Sequence, residues 1–191
     1  MSVTRVLELS AMGFAVLTLS AIVVRQGIRI GELEVNLASA QSPGGLTVGT
    51  TIRRFVAHDI EGNERTIDFT SPHTRPTIIY VFRPSCGACR LNGEGLAALL
   101  EQTRGKYEVV GLSLDRTGVE QFVAQENMKF PVYTDLSRED IRAYRLGNTP
   151  ETIVVEPGGK VAGSWVGGFG GPTQSLIERY FAVRLPGFPG A

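Results

Sequence analysis

An unbroken apolar run, Thr77-Ile78-Ile79-Tyr80-Val81-Phe82, stops at Arg83-Pro84-Ser85 and gives way at once to Cys86-Gly87-Ala88-Cys89. A strand without polar alternation suits a sheet covered on both faces, and the alternation of strand and helix signals along the chain points to a layered α/β fold. The same strand delivers Cys86 and Cys89, the only cysteines in the chain, to a strand-to-helix junction. Three residues apart on a helix, they share a face and fall within the Cα spacing that a disulfide tolerates, about 4.4–6.8 Å. A structural bridge closing so short a loop would stabilise little. A tetrahedral metal site would need two further ligands, and the only histidines, His58 and His73, stand far upstream. Reversible dithiol–disulfide chemistry is therefore the leading reading, ahead of a structural bridge or half of a metal site. With a helix starting at or just before Cys86, that sulfur meets unpaired N–H groups and the positive dipole end, so Cys86 is the candidate nucleophile. Cys89, one turn on and less exposed, is placed to resolve a mixed disulfide. Arg83 and Arg90 are candidates to stabilise the thiolate.

Acidic and basic residues balance at 19 each, which gives no electrostatic case for nucleic acid as a partner. Arg138, Arg142 and Arg145 are interleaved with Glu139 and Asp140 and read as a solvated helix face. The length suits one domain with a real core plus an appendage. The appendage is N-terminal. Leu9 to Val24 is apolar or small throughout and spans about 24 Å as a helix; extension to residues 6–28 matches a hydrocarbon core of about 30 Å. Residues 1–30 are read as a single-pass membrane anchor lying in the lipid bilayer through residues 6–28. A cleaved signal peptide and a buried core helix are the alternatives. Ala38-Ser39-Ala40 has the form of a cleavage site but lies far beyond Val24. Arg5 on one side and Arg25 and Arg29 on the other leave the positive-inside count undecided. The large domain after the span, and its dithiol, favour a bacterial inner (cytoplasmic) membrane location with the domain facing the periplasm.

Residues 31–48 read as a linker ending in Pro43-Gly44-Gly45, residues 49–184 as the folded domain and residues 185–191 as a C-terminal tail. A hairpin is expected around Glu61-Gly62-Asn63, a helix over 91–104, and a buried strand from Val109 to Leu114. Thr117-x-x-Glu120 and Ser137-x-x-Asp140 have the spacing of helix-capping boxes. Thr152 to Val155 and Lys160 to Trp165 form a second hairpin, with Trp165 expected in the core. Gly167 to Gly171 reads as a flexible break, and Pro172 opens a last helix.

Residues 49–183 resemble an extracytoplasmic thioredoxin-fold domain of the TlpA/ResA-like group. The resemblance rests on Tyr80-Val81-Phe82-Arg83-Pro84-Ser85-Cys86-Gly87-Ala88-Cys89-Arg90, Val110-Gly111-Leu112-Ser113-Leu114-Asp115, Phe130-Pro131-Val132 and Gly147-Asn148-Thr149-Pro150. It implies an α/β thioredoxin-like fold with a mixed central sheet, helices on both faces, an N-terminal β-hairpin extension and a transmembrane helix before it. It implies a thiol–disulfide oxidoreductase that needs no cofactor and no metal beyond the Cys86–Cys89 disulfide. Such an enzyme acts as a reductase of client proteins, for example in cytochrome c or metalloenzyme maturation, and is recharged by a membrane electron donor. It also implies that Pro150 is cis and lies beside the dithiol, so that the Thr149 backbone can bind an extended substrate segment.

The departures from that pattern matter as much. Thioredoxins carry a buried acid six residues before the first cysteine, where this chain has Tyr80. ResA-like proteins carry a glutamate three residues after the second cysteine, where this chain has Asn92, with Glu94 two further on. Water, Tyr80 or Glu94 is left to take the proton of Cys89. Two other functions compete. A peroxiredoxin-like peroxidase would need threonine where Arg83 stands. A copper-site chaperone or non-catalytic binding module would resemble proteins with wider cysteine spacing and a downstream histidine, which this chain lacks.

Overall fold

The computed structural model describes residues 16, 18–27, 29, 44–70 and 75–188. His73 and most of the expected linker lie outside the described residues. The chain divides into two compact units at residue 38. In the first, residues 18–27 are helical, and Val16, Leu19, Ile22, Val23 and Val24 are exposed. Among the described residues no helix is long and apolar enough to cross a membrane; the expected span over 6–28 falls partly outside them.

The second unit is built on a seven-stranded mixed sheet. Its strands are β1 (Arg54–Asp59), β2 (Glu64–Asp68), β3 (Thr77–Phe82), β4 (Glu108–Ser113), β5 (Val132–Thr134), β6 (Glu151–Val155) and β7 (Val161–Val166). They lie in the order β2-β1-β5-β4-β3-β6-β7. The apolar run identified from sequence is the central strand: β3 pairs in parallel with β4 and antiparallel with β6. Its side chains alternate between two cores, as the pleat requires. Ile78, Tyr80 and Phe82 pack with residues of four helices, among them Cys89, Leu99, Phe122 and Ile177. Ile79 and Val81 join Phe55, Leu112, Ile153 and Leu146, with Ile141 and Tyr144 against them. Helices therefore cover both faces. The expected hairpin is β1–β2, which pairs with β5 at one end of the sheet. Its turn is fixed by the Asp59 carboxylate, which accepts from the backbone N–H of Glu61 at 3.1 Å and of Asn63 at 2.8 Å.

The helices are α1 (Gly87–Leu91), α2 (Gly93–Gln102), α3 (Val119–Gln125), α4 (Arg138–Ala143) and α5 (Gly171–Phe181). Three sequence expectations change here. The single helix expected over 91–104 is two, because Asn92 ends α1 and starts α2 while its side chain is buried in other bonds. The Thr117-x-x-Glu120 box does not form: α3 starts from Gly118 at φ 79°, a conformation that favours glycine, with no side-chain cap. Ser137 does cap α4, its Oγ accepting from the Asp140 N–H at 3.0 Å. The segment around Gly167–Gly171 is anchored rather than loose, since Phe169 is buried in the core. Trp165 is buried as expected, with Tyr180 and Phe181 on its ring. The first residues of the C-terminal tail also pack: Leu185 is buried, and its N–H donates to Glu178 Oε1 at 2.8 Å.

Glu151, at the start of β6, is fully buried on the face of Ile153 and Val155. Its Oε1 accepts from the Leu46 N–H at 3.0 Å and from Ser164 Oγ at 2.8 Å. Its Oε2 finds no hydrogen-bond partner among the described residues. Burial pushes its carboxyl above the usual value of 4.5, although the two donors oppose this. The folded state thus holds the Glu151 proton more tightly than the unfolded chain. The resulting stability is present in full below about pH 4.5 and is lost as pH rises through the folded value. The melting temperature of the parent is expected to fall between pH 5 and pH 8, and that of Glu151→Gln to fall less. Parallel pH profiles for the two proteins would contradict the account of this carboxyl.

Candidate active site

The end of β3 and the start of α1 set the position of both sulfurs. The Arg83-Pro84-Ser85 break turns the chain, closed by the Cys86 N–H donating to the Arg83 carbonyl at 3.1 Å. Cys86 is then the residue that caps α1, in extended backbone at φ −80° and ψ 113°. Its Sγ accepts from the Cys89 N–H at 3.2 Å, the bond that a serine or aspartate makes at an ordinary helix start. On its other side the Cys86 thiol donates to the Thr149 carbonyl at 3.5 Å. The Thr149–Pro150 peptide is cis. Cys86, Cys89, Thr149 and Pro150 thus meet at one point, although 63 residues separate Cys86 from Thr149.

The two cysteines are free thiols in different surroundings. Cys86 is partly exposed, whereas Cys89 is 1% exposed and belongs to the core. Burial pushes the Cys89 thiol up to about 12, and the neighbouring Cys86 sulfur adds to the shift. A thiolate is the attacking species in disulfide exchange, so Cys89 cannot act at neutral pH unless its proton is removed as the reaction proceeds.

The residues singled out as tuning groups divide sharply. Tyr80 does stand at Cys89. It is fully buried, and burial first and the Cys89 charge second raise its phenol far above the usual value. A phenol that keeps its own proton so firmly is no base for Cys89, which corrects that expectation. Its oxygen instead accepts from Asn92 Nδ2 at 3.3 Å. The Arg83 guanidinium bonds Asp115 Oδ1 at 2.5 Å. The Arg90 guanidinium donates to Gln125 Oε1 at 3.2 Å and to the Pro84 carbonyl at 3.0 Å, and lies over the Phe122 ring. Both arginines hold the turn before Cys86, and no bond from either guanidinium to a sulfur occurs among the described residues. Glu94 is exposed on the first turn of α2 and does not line the cavity that Cys89 shares. His58 sits in β1 with its Nδ1 4.0 Å from Asp135.

Two residues that sequence reasoning passed over complete the site. Asn92, read only as a missing glutamate, joins the Tyr80 hydroxyl to the Phe169 N–H, which donates to Asn92 Oδ1 at 2.5 Å. Phe169 reaches this position because residue 95 is glycine: a Cβ there would lie 2.8 Å from the Phe169 ring. Gly95 near the start of the expected helix was the available signal, since glycine costs a helix roughly 1 kcal/mol relative to alanine and so calls for a packing reason.

The sequence profile of the AhpC/TSA family matches residues 48–164. The chain belongs to the AhpC/TSA family. Among curated relatives of this AhpC/TSA-family chain is the thiol–disulfide oxidoreductase ResA of Bacillus cereus (strain ZK / E33L), 26% identical over 144 residues that cover 74% of this chain and 80% of the relative. The ResA of Bacillus subtilis (strain 168) is 23% identical over 145 residues, 74% of this chain and 78% of the relative. The expected enzyme class is that of these relatives. Among solved structures, the thioredoxin domain of the thiol–disulfide oxidoreductase BVU-2223 from Bacteroides vulgatus superposes with a TM-score of 0.55 at 18% identity, over 72% of this chain and 99% of that domain. That likeness shows the thioredoxin-like fold expected from sequence.

Replacing Asn92 by alanine would strand a buried hydroxyl and a buried N–H. Asn92→Ala is expected to lower the unfolding free energy by roughly 1–3 kcal/mol, measured by urea denaturation. A variant as stable as the parent would show that these bonds are replaceable.

Proposed function

We propose that the chain is a membrane-tethered, extracytoplasmic thiol–disulfide oxidoreductase that reduces client disulfides. The observation that carries the reading is the position of Cys86 Sγ, between the Cys89 N–H and the Thr149 carbonyl at a cis-proline, with Cys89 buried behind it. The Cys86 thiolate attacks one sulfur of a client disulfide; a Cys86–client bond forms, and the client's other sulfur leaves as a thiolate and takes up a proton. Cys89 then loses its proton and attacks Cys86 Sγ. The Cys86–Cys89 bond forms, the client bond breaks, and the second client thiol departs. Two electrons pass to the client, and no cofactor is required. The backbone of Thr149 receives the extended client segment by strand addition. The names of the relatives support this exchange.

Apolar side chains exposed on the N-terminal helical segment, Leu19, Ile22, Val23 and Val24, support the tether, since such a row calls for a lipid or protein cover. A membrane electron donor on the same bilayer returns Cys86–Cys89 to the dithiol. Clients of the cytochrome c or metalloenzyme maturation class suit a reductase so placed. The peroxidase reading has no support at position 83, where an arginine committed to Asp115 occupies the place of the needed threonine.

Cys86→Ser is expected to abolish reduction of insulin disulfides, followed by turbidity. Cys89→Ser is expected to accumulate a mixed disulfide that a thiol reductant releases. Parental insulin reduction by both variants would overturn the assignment. Removal of residues 1–30 should move the protein from the membrane fraction to the supernatant; a parental distribution would count against the anchor.

A further inference from the structure

Cys89 lines a cavity of about 440 Å³ that runs from the buried side of the site to the surface between α2 and the segment after α3. Its lining includes Cys89, Tyr80 and Glu126, together with Gly93, Leu96 and Met128. Glu126 ends α3 and is partly buried. Its carboxylate rests against Gly93, the first residue of α2: a Cβ at Gly93 would collide with Glu126 Oε2. A glycine at this helix start therefore admits a carboxylate to the cavity. No hydrogen bond or ion pair among the described residues occupies that carboxylate, and its charge is felt at Tyr80, the neighbour of Cys89. A cavity of this size has room for water joining the groups on its wall.

We propose that Glu126 is the proton acceptor for Cys89, working through water in this cavity during resolution of the mixed disulfide. The proposal rests on the thiol–disulfide exchange described above. The Cys89 S–H proton passes by way of water to the Glu126 carboxylate. The electron pair left on Cys89 forms the new bond to Cys86 Sγ, the client sulfur leaves with the pair of the broken bond and is protonated, and Glu126 returns its proton to solvent at the cavity mouth. The other ionisable groups facing this path do not fill the role. Tyr80 keeps its proton, Cys86 is itself the partner, and Arg83 and Arg90 are bonded elsewhere. Glu101, Arg104, Tyr107 and Lys129 stand on the remaining lining, where Arg104 pairs with Glu101.

The test follows the reduced full-length chain reacting with 5,5′-dithiobis(2-nitrobenzoate) by stopped flow between pH 6 and pH 10. The first equivalent of nitrothiobenzoate reports attack by Cys86; the second reports attack by Cys89. In Glu126→Gln the first phase is expected to keep the parental rate and the second to slow at pH 7 by about 10²-fold, the low end for loss of a positioned base. The deficit should shrink as hydroxide takes over toward pH 10, a pH dependence that a merely structural change would not produce. Glu126→Asp is expected to recover part of the rate. Gly93→Ala, which displaces the carboxylate while leaving it in the chain, is expected to slow the same phase. A second phase in Glu126→Gln that matches the parent across the pH range would overturn the role of Glu126 and leave the exchange intact. Release of one equivalent by the parent would instead overturn the exchange, and this proposal with it.

Discussion

The difference in burial between two sulfurs one helical turn apart underlies everything else in this molecule. Cys86 caps α1 at the surface, and Cys89, on the same helix, is drawn into the core beneath it. The arrangement follows from β3. Its alternating side chains leave Tyr80 and Phe82 on the face where α1 lands, and the Phe82 ring stacks on Phe122 of α3. Arg90 clamps the turn from the far side. The outer sulfur is thereby left partly exposed, while the inner one is shielded. Shielding has a chemical cost, because the same burial that protects Cys89 makes its proton hard to remove.

That cost explains the polar wall around Cys89. Where relatives in the resembled group have a carboxylate in the strand or just after the second cysteine, this chain has a phenol and an amide. Tyr80 and Asn92 bond each other and fix the Phe169 segment; they build the site without offering a base. The cavity between α2 and the residues after α3 has both Cys89 and Glu126 on its lining.

Much of this was legible in the sequence. Thr77 to Phe82 could only be a doubly covered strand, and it proved to be the central one. Cys86 and Cys89 were identifiable as a dithiol at a strand-to-helix junction, and Thr149 and Pro150 through the resemblance to the TlpA/ResA-like group. Side-chain destinations were not legible. Arg83 and Arg90 flank the motif in sequence, yet both turn to nearer oxygen acceptors, and nothing local announces Asp115 or Gln125 as partners. Glu94 is close in sequence to Cys89 but falls on the exposed side of α2. Glu126, 37 residues beyond Cys89, carries no motif at all. Its relevance arises from a glycine in another helix. Glu151 likewise carries no motif, and its burial and its bond to the Leu46 N–H belong to the fold.

The central claim is that Cys86 and Cys89 exchange reversibly between dithiol and disulfide at a potential suited to reducing clients. Mass spectrometry of the alkylated full-length chain, equilibrated over a series of thiol-to-disulfide ratios, measures both parts of it. The account predicts one transition in which two hydrogens are lost together, with a midpoint below about −200 mV, toward the reducing end of the range for such dithiols. Sulfurs that never link at any ratio, or a midpoint near about −120 mV, the value of a strong oxidant, would contradict it.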